Sequence, residues 1–172
     1  MVLISCSLVK KTDLMKYKLD FHTAYNQFYL TSDNGDKSLQ DASWSEESFN
    51  DRLDIKENLL TIYTGSYGHI RGELTVLQKP NNDFVYSEYS HIVEGGIAVD
   101  SGELKFLDCP TSTVAMSLRV KPGSYKVRIY MSNLIDTDED ESTDYYKIEI
   151  WPDSATRKVV LKEHFRIKSR KL

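Results

Sequence analysis

Thr113-Val-Ala-Met-Ser-Leu-Arg-Val120, then Lys121-Pro-Gly-Ser124, then Tyr125-Lys-Val-Arg-Ile-Tyr-Met131 is the stretch from which the fold class is read. Both flanks alternate apolar with polar residues at period two and are rich in valine, isoleucine and tyrosine, the signature of half-buried strands. Pro122 and Gly123 stand where a type II turn needs first a fixed φ and then a positive one. The expectation is a β-hairpin of well-fixed register.

The same pattern recurs outward from it. Val2 to Val9, Tyr17 to Phe21, Asn26 to Leu30, Leu59 to Thr64, His69 to Leu77, Phe84 to Val93, Gly96 to Asp100 and Glu103 to Leu107 read as short strands broken by Gly, Pro or Asn. Gly65-Ser-Tyr-Gly68 and Glu94-Gly-Gly96 read as turns. A last pair, Tyr145 to Trp151 and Lys158 to Ile167, is joined by Pro152-Asp-Ser-Ala155. Helical spacing is scarce. Ser43, three residues before Glu46, makes a capping box for one short helix to about Leu53, with Trp44, Phe49 and Leu53 along its apolar edge. Roughly ten strands with one helix inserted early predict an all-β, two-layer antiparallel β-sandwich. No linker or repeat divides the chain, so residues 1–172 are expected to form a single domain.

At 172 residues with 40% hydrophobic and 28% charged content, the chain has the composition of a globular domain able to build its own core. Cys6 and Cys109 form no CxxC pair and have no histidine at zinc spacing, so both read as buried thiols. The apolar run in Met1-Val-Leu-Ile-Ser-Cys6 is too short for a secretory signal, and no stretch has the length of a membrane span; a cytoplasmic location is expected.

The net charge of −4 is unevenly spread. Asp136, Asp138, Glu139, Asp140, Glu141 and Asp144 crowd into nine residues, whereas Arg157, Lys158, Lys162, Arg166, Lys168, Arg170 and Lys171 follow later. The late bases alternate with apolar residues and lack the interleaved aromatics of a nucleic-acid stacking platform, so they read as a protected basic edge and no direct nucleic-acid binding is expected.

No local signature of catalysis is present: there is no Gly-x-Ser-x-Gly elbow, His-Glu-x-x-His, phosphate loop or dinucleotide fingerprint. His22, His69, His91 and His164 fall in separate segments, and only folding brings any two together. The acidic run admits three readings. As a calcium loop, Asp136, Asp138 and Asp140 alternate as hard oxygen ligands would, but Glu141 replaces the EF-hand glycine and Lys147 its bidentate glutamate. As a solvated loop, the charges merely hold it extended. As a partner-binding loop, the carboxylates stand in for phosphates in a basic groove, with Tyr145, Tyr146 and Trp151 as aromatic anchors beside them.

Tyr25-Asn-Gln-Phe28, Trp44 at the start of a polar helix, Val93-Glu-Gly-Gly-Ile97 and Lys121-Pro-Gly-Ser-Tyr-Lys-Val127 occur in an order that resembles the competence protein J family, the bacterial inhibitors of the DNA-entry nuclease. The resemblance runs from about Phe21 to Trp151. It implies an all-β protein without catalytic activity or cofactor that binds a nuclease and shuts it off. The longer N-terminal segment, the acidic run and the basic C-terminal strand depart from that family, and point to a toxin nuclease as target. The expected function is therefore a cytoplasmic immunity or inhibitor protein that covers the basic active-site region of a bacterial RNase or DNase toxin. Its contacts would come from Asp136, Asp138, Glu139, Asp140, Glu141, Asp144 and Tyr145. The competing expectation is a calcium-dependent sandwich that binds carbohydrate or lipid.

Overall fold

A computed structural model describes residues 15–32, 44–135 and 143–164, which form two β-sheets, one short helix and one 3-10 turn. The strands in chain order are β1 (Met15–His22), β2 (Gln27–Thr31), β3 (Leu53–Lys56), β4 (Leu59–Tyr63), β5 (His69–Val76) and β6 (His91–Val99). They continue as β7 (Glu103–Leu107), β8 (Val114–Arg119), β9 (Gly123–Ser132), β10 (Tyr145–Pro152) and β11 (Val159–Lys162), with helix α1 at Glu46–Asn50. One sheet has the order β1-β5-β10-β9-β6-β11 and the other β3-β4-β2-β7-β8. The expected strand Val2 to Val9 lies outside the described residues.

The two sheets face one another across an apolar core containing Leu19, Ile70, Val127, Ile129 and Ile148 from the first and Leu30, Leu60, Ile62, Leu104 and Phe106 from the second, with a smaller cluster of Tyr29, Leu59, Leu107 and Cys109 apart from it. Phe28 lies at its centre, edge-on to Phe21 and Tyr146 at 5.6 and 6.1 Å and stacked on Phe106 at 6.2 Å. The all-β sandwich follows, with eleven strands among the described residues. All pairings are antiparallel except β10 with β5, which is parallel.

The expected hairpin is not one. β8 pairs with β7 in the second sheet, and β9 pairs with β6 and β10 in the first. Lys121 to Ser124 is thus a corner between sheets, pinned where the Tyr125 hydroxyl donates to the Lys121 carbonyl at 2.8 Å, in the manner of a tyrosine corner. The deciding property is burial: β9 is buried continuously from Tyr125 to Met131, on both faces, and a strand with no wet face belongs inside a sheet with two neighbours. Likewise β10 and β11 are not partners; β11 pairs with β6 at the far edge.

The outward face of β9 is covered by connecting segments. The Arg128 guanidinium lies between the rings of Phe84 (4.8 Å) and Trp151 (5.0 Å), donates to Glu94 at 2.6 Å and bonds the Tyr130 hydroxyl at 3.0 Å. Tyr130 in turn donates to Glu149 at 2.7 Å, and Lys147 pairs with Glu149 at 2.9 Å. Segment 77–90, expected in part as the strand Phe84 to Val93, lies across this polar layer as loop and a 3-10 turn at Tyr86–Glu88 before β6 begins at His91. Glu94-Gly-Gly96 is no turn either. It runs through the middle of β6, where a Cβ on Gly96 would sit 2.4 Å from the Thr156 backbone.

Helix α1 is shorter than expected, and its cap is Ser45, whose side chain accepts from the Ser48 amide; Ser43 lies outside the described residues. Trp44 precedes the helix and is exposed, and Leu53 belongs to β3, so the apolar edge reduces to Phe49 packed on Tyr63 at 5.4 Å. Cys109 is a buried free thiol, contacted by the Tyr29 hydroxyl; Cys6 lies outside the described residues.

Two outcomes test this architecture. Gly72 faces Tyr146 across the parallel pair, and an added Cβ would stand 2.0 Å from the Tyr146 carbonyl oxygen. Gly72→Ala should therefore cost roughly 3 kcal/mol or more in urea unfolding, because backbone rather than a flexible side chain must yield. His91 is fully buried, donates from Nε2 to the Asp51 carbonyl at 3.0 Å and accepts the His164 amide at Nδ1. Burial lowers its pKa to about 4, with Arg52 adding to the effect and the Asp51 carbonyl opposing it. The unfolded chain then binds the extra proton between about pH 6.5 and 4, so stability is complete above that window and falls by roughly 2–3 kcal/mol on acidification through it. Urea midpoints at pH 7.5 and 4.5 measure the drop, which His91→Gln should largely abolish.

Candidate functional site

The registers align the end of β1, the starts of β2, β5, β6 and β10, and the ends of β4 and β9 at one end of the sandwich. The acidic run leaves and re-enters the fold there. Asp136, Asp138, Glu139, Asp140 and Glu141 lie outside the described residues, as do the three calcium-ligand candidates among them. Among the described residues no group of three His, Cys, Asp or Glu is arranged to hold a metal ion.

Asp144 is different from its neighbours in sequence. Expected as a contact carboxylate, it is only 1% exposed and belongs to the framework. Its carboxylate accepts from the Ser66 amide at 3.1 Å, from the Ser66 hydroxyl at 2.9 and 3.0 Å, and from the Tyr146 hydroxyl. Tyr146 also accepts the Gly65 amide at 2.9 Å, and burial, reinforced by Asp144, pushes its phenol well above the ordinary tyrosine range. A buried carboxylate demands such donors, since desolvation without them costs several kcal/mol. The Gly65-Ser-Tyr-Gly68 turn, unremarked in sequence beyond its glycines, is thus an anion cradle occupied by the chain's own side chain.

The outgoing limb of the acidic run is fixed to the same turn. A Cβ on Gly65 would lie 3.0 Å from the Leu134 side chain and 3.3 Å from the Ile135 carbonyl, so glycine lets the two segments approach without either giving way. Thr64 donates from its amide to the Asn26 carbonyl at 2.8 Å and from its hydroxyl to the Ser66 carbonyl at 2.7 Å, while buried Arg52 donates to the Thr64 carbonyl at 3.1 Å.

Of the expected aromatic anchors only Tyr145 is exposed, at 41%; Tyr146 and Trp151 are buried in the sandwich and its outer polar layer. Exposed apolar side chains do stand at this end, but others than those expected. Tyr25, at 60% exposure, sits edge-on to Tyr67 at 5.8 Å; Ile135 is 58% and Trp44 64% exposed. Tyr25 and Asn26 are not strand residues. They form a two-residue turn with φ of 57° and 54°, closed by an Ala24–Gln27 bridge, a geometry that asparagine or glycine adopts without strain and tyrosine does not. Asn26, expected as the start of a strand, is a turn residue, and nothing in the sequence said that Tyr25 would hold the tip.

The histidines are not all apart. His22 and His69 stack at 4.7 Å on the exposed edge of β1 and β5, and His69 meets Asp20 at 2.6 Å. Lys18 and His69 hold the Asp20 carboxyl down to about 2. A separate concavity of about 1040 Å³ lies on the outer face between β1, β5, β10 and segment 77–83, where Lys147, Glu149 and Asn81 bond mainly to one another.

No protein-family model matches the chain, and no curated protein matches it. Among solved structures, it is similar in fold to ComJ of Bacillus subtilis, an inhibitor of the DNA-degrading activity of NucA. The TM-score is 0.64 with 12% sequence identity, over 81% of this chain and 98% of that one. The product of crocagin biosynthetic gene J is similar at a TM-score of 0.58 and 15% identity, over the same shares. The chain therefore has a ComJ-like β-sandwich fold. No helix among the described residues is long and apolar enough to cross a membrane.

The cradle predicts its own energetics. Asp144→Ala strands the Ser66 amide and hydroxyl and the Tyr146 hydroxyl, and should cost roughly 3–4 kcal/mol in chemical denaturation. Tyr146→Phe should cost less, roughly 1–3 kcal/mol, and the double variant less than the sum because the two groups share a bond.

Proposed function

We propose that this chain is an inhibitor of a bacterial nuclease, acting in the cytoplasm by covering the enzyme's basic active-site region. The observation that carries the reading is the ComJ-like fold, since ComJ inhibits the DNA-degrading activity of NucA. The order of motifs from Tyr25 to Val127 in the sequence agrees with it. The contact carboxylates in this reading are Asp136, Asp138, Glu139, Asp140 and Glu141, with Tyr145 beside them. Asp144 keeps its place in the proposal as the residue that fixes where the run returns to the sandwich.

The chemistry is electrostatic substitution. A nuclease groove is built of Lys and Arg to hold phosphates, and five carboxylates in six residues offer a comparable density of negative charge. Opposite fields accelerate encounter at low salt. The toxin class of nuclease is favoured by the acidic run and basic C-terminal strand, features in which the sequence departs from the competence family.

The decisive experiment is plasmid degradation by NucA, and by any nuclease found encoded beside this chain, in the presence of increasing amounts of it. Inhibition at near-stoichiometric concentration is expected; degradation unaffected by excess chain for both enzymes would sink the reading. Exchange of the five carboxylates for their amides should slow association at least tenfold at 50 mM salt and flatten its salt dependence. An unchanged on-rate would clear the acidic run of the role and leave inhibition itself standing.

A further inference from the structure

One five-residue stretch, Tyr63 to Tyr67, underlies most of the exposed apolar surface at the end of the sandwich described above. Phe49, which carries Trp44 against it at 5.9 Å, packs on Tyr63; Leu134 and the Ile135 carbonyl crowd Gly65; Tyr25 packs on Tyr67. The stretch itself is held by Arg52, Asn26, Asp144 and Tyr146, so these side chains stand on a rigid base. Single exposed apolar residues are ordinary on any surface. Three of them, each more than half exposed, join one hydrogen-bonded segment, Tyr25 directly through Tyr67, Trp44 through Phe49 and Ile135 through its backbone at Gly65; that is not ordinary, and two are aromatic.

Tyr25 supplies an independent observation. Its backbone is left-handed at φ 57°, where a tyrosine costs about 1 kcal/mol or more relative to asparagine or glycine. Its ring is 60% exposed and so returns little by burial in the free protein. Stability alone would select against this residue at this place.

Resting on the inhibitor reading, we infer that Tyr25, Tyr67, Trp44 and Ile135 form the apolar anchor of the interface, and that its occupant is a protein with a cationic surface, the nuclease itself. Charge identifies the occupant: residues 136–142, which leave after Ile135 and return before Thr143, carry five carboxylates and no base. Exposed aromatic side chains combined with charges of one sign are the anatomy of a tight protein interface, in which desolvated rings supply most of the affinity and the charges steer.

Tyr25→Asn is the discriminating variant, because asparagine suits the left-handed turn and the ring alone is lost. Its melting temperature should equal or exceed that of the parent, while its dissociation constant for NucA, or for the neighbouring nuclease if that is the one bound, should rise at least tenfold by calorimetry. Trp44→Ser, outside any helix or strand, should do the same and guards against an unforeseen effect on the turn. Unchanged affinity in both variants would overturn the anchor and leave the inhibitor reading intact. If the parent binds neither nuclease, the inhibitor reading falls and the anchor with it.

Discussion

A carboxylate taken out of water must be met by donors, and the burial of Asp144 on Ser66 and Tyr146 imposes that condition on one whole end of the protein. To meet it, the turn after β4 has to present the Ser66 amide and hydroxyl inward, which Thr64 and Arg52 enforce through the backbone on either side. Gly65, with no side chain, lets Leu134 and Ile135 pack closely over the turn. Tyr146 has to stand in register with Gly72, which admits its carbonyl where any other residue would not. The clamp thus couples β4, β5, β9 and β10. It also fixes both ends of the acidic run to one point, whatever the run itself does.

The same logic of satisfied burial acts in the first sheet. Because β9 is covered on both faces, its outward Arg128 and Tyr130 must find partners within the protein, and Glu94, Glu149, Phe84 and Trp151 are those partners. Such a layer adds little net stability compared with an apolar one. What it does is commit segment 77–90 to one position over the sheet, with Asn81 bonded to Glu149 at 3.2 Å and its carbonyl accepting from Arg128 at 2.5 Å.

These two polar assemblies mark where the sequence was legible and where it was not. Strand existence was readable from alternation: β7 falls at Glu103–Leu107 as expected, and β4 and β5 lie within a residue of their expected bounds. Partnership was not. The Pro122-Gly123 corner carries hairpin chemistry, yet alternation cannot distinguish a wet outer face from one covered by a distant loop, and only that covering moves β9 into the other sheet from β8. Gly95 and Gly96 look like punctuation for the same reason, since a close approach by Leu53, Ile55 and Thr156 is a long-range fact. At the candidate site, the acidic run advertised charge density but could not separate Asp144 from its neighbours. That difference comes from Ser66, 78 residues away.

Rigidity and strain are distributed in a way that bears on function. The end of the sandwich that carries the acidic run holds a fully satisfied buried carboxylate, a fully buried arginine and a turn with two left-handed residues, while its apolar side chains point outward. A fold selected for stability alone would place asparagine or glycine at Tyr25 and would have no reason to spend a buried charge beneath exposed rings. A binding surface has that reason, because affinity depends on the ordering already completed in the free protein. Side chains on an immobile base lose little further entropy on contact. In the inhibitor we propose, recognition divides between the two: the carboxylates of the acidic run accelerate approach, and the apolar patch governs how long the complex lasts.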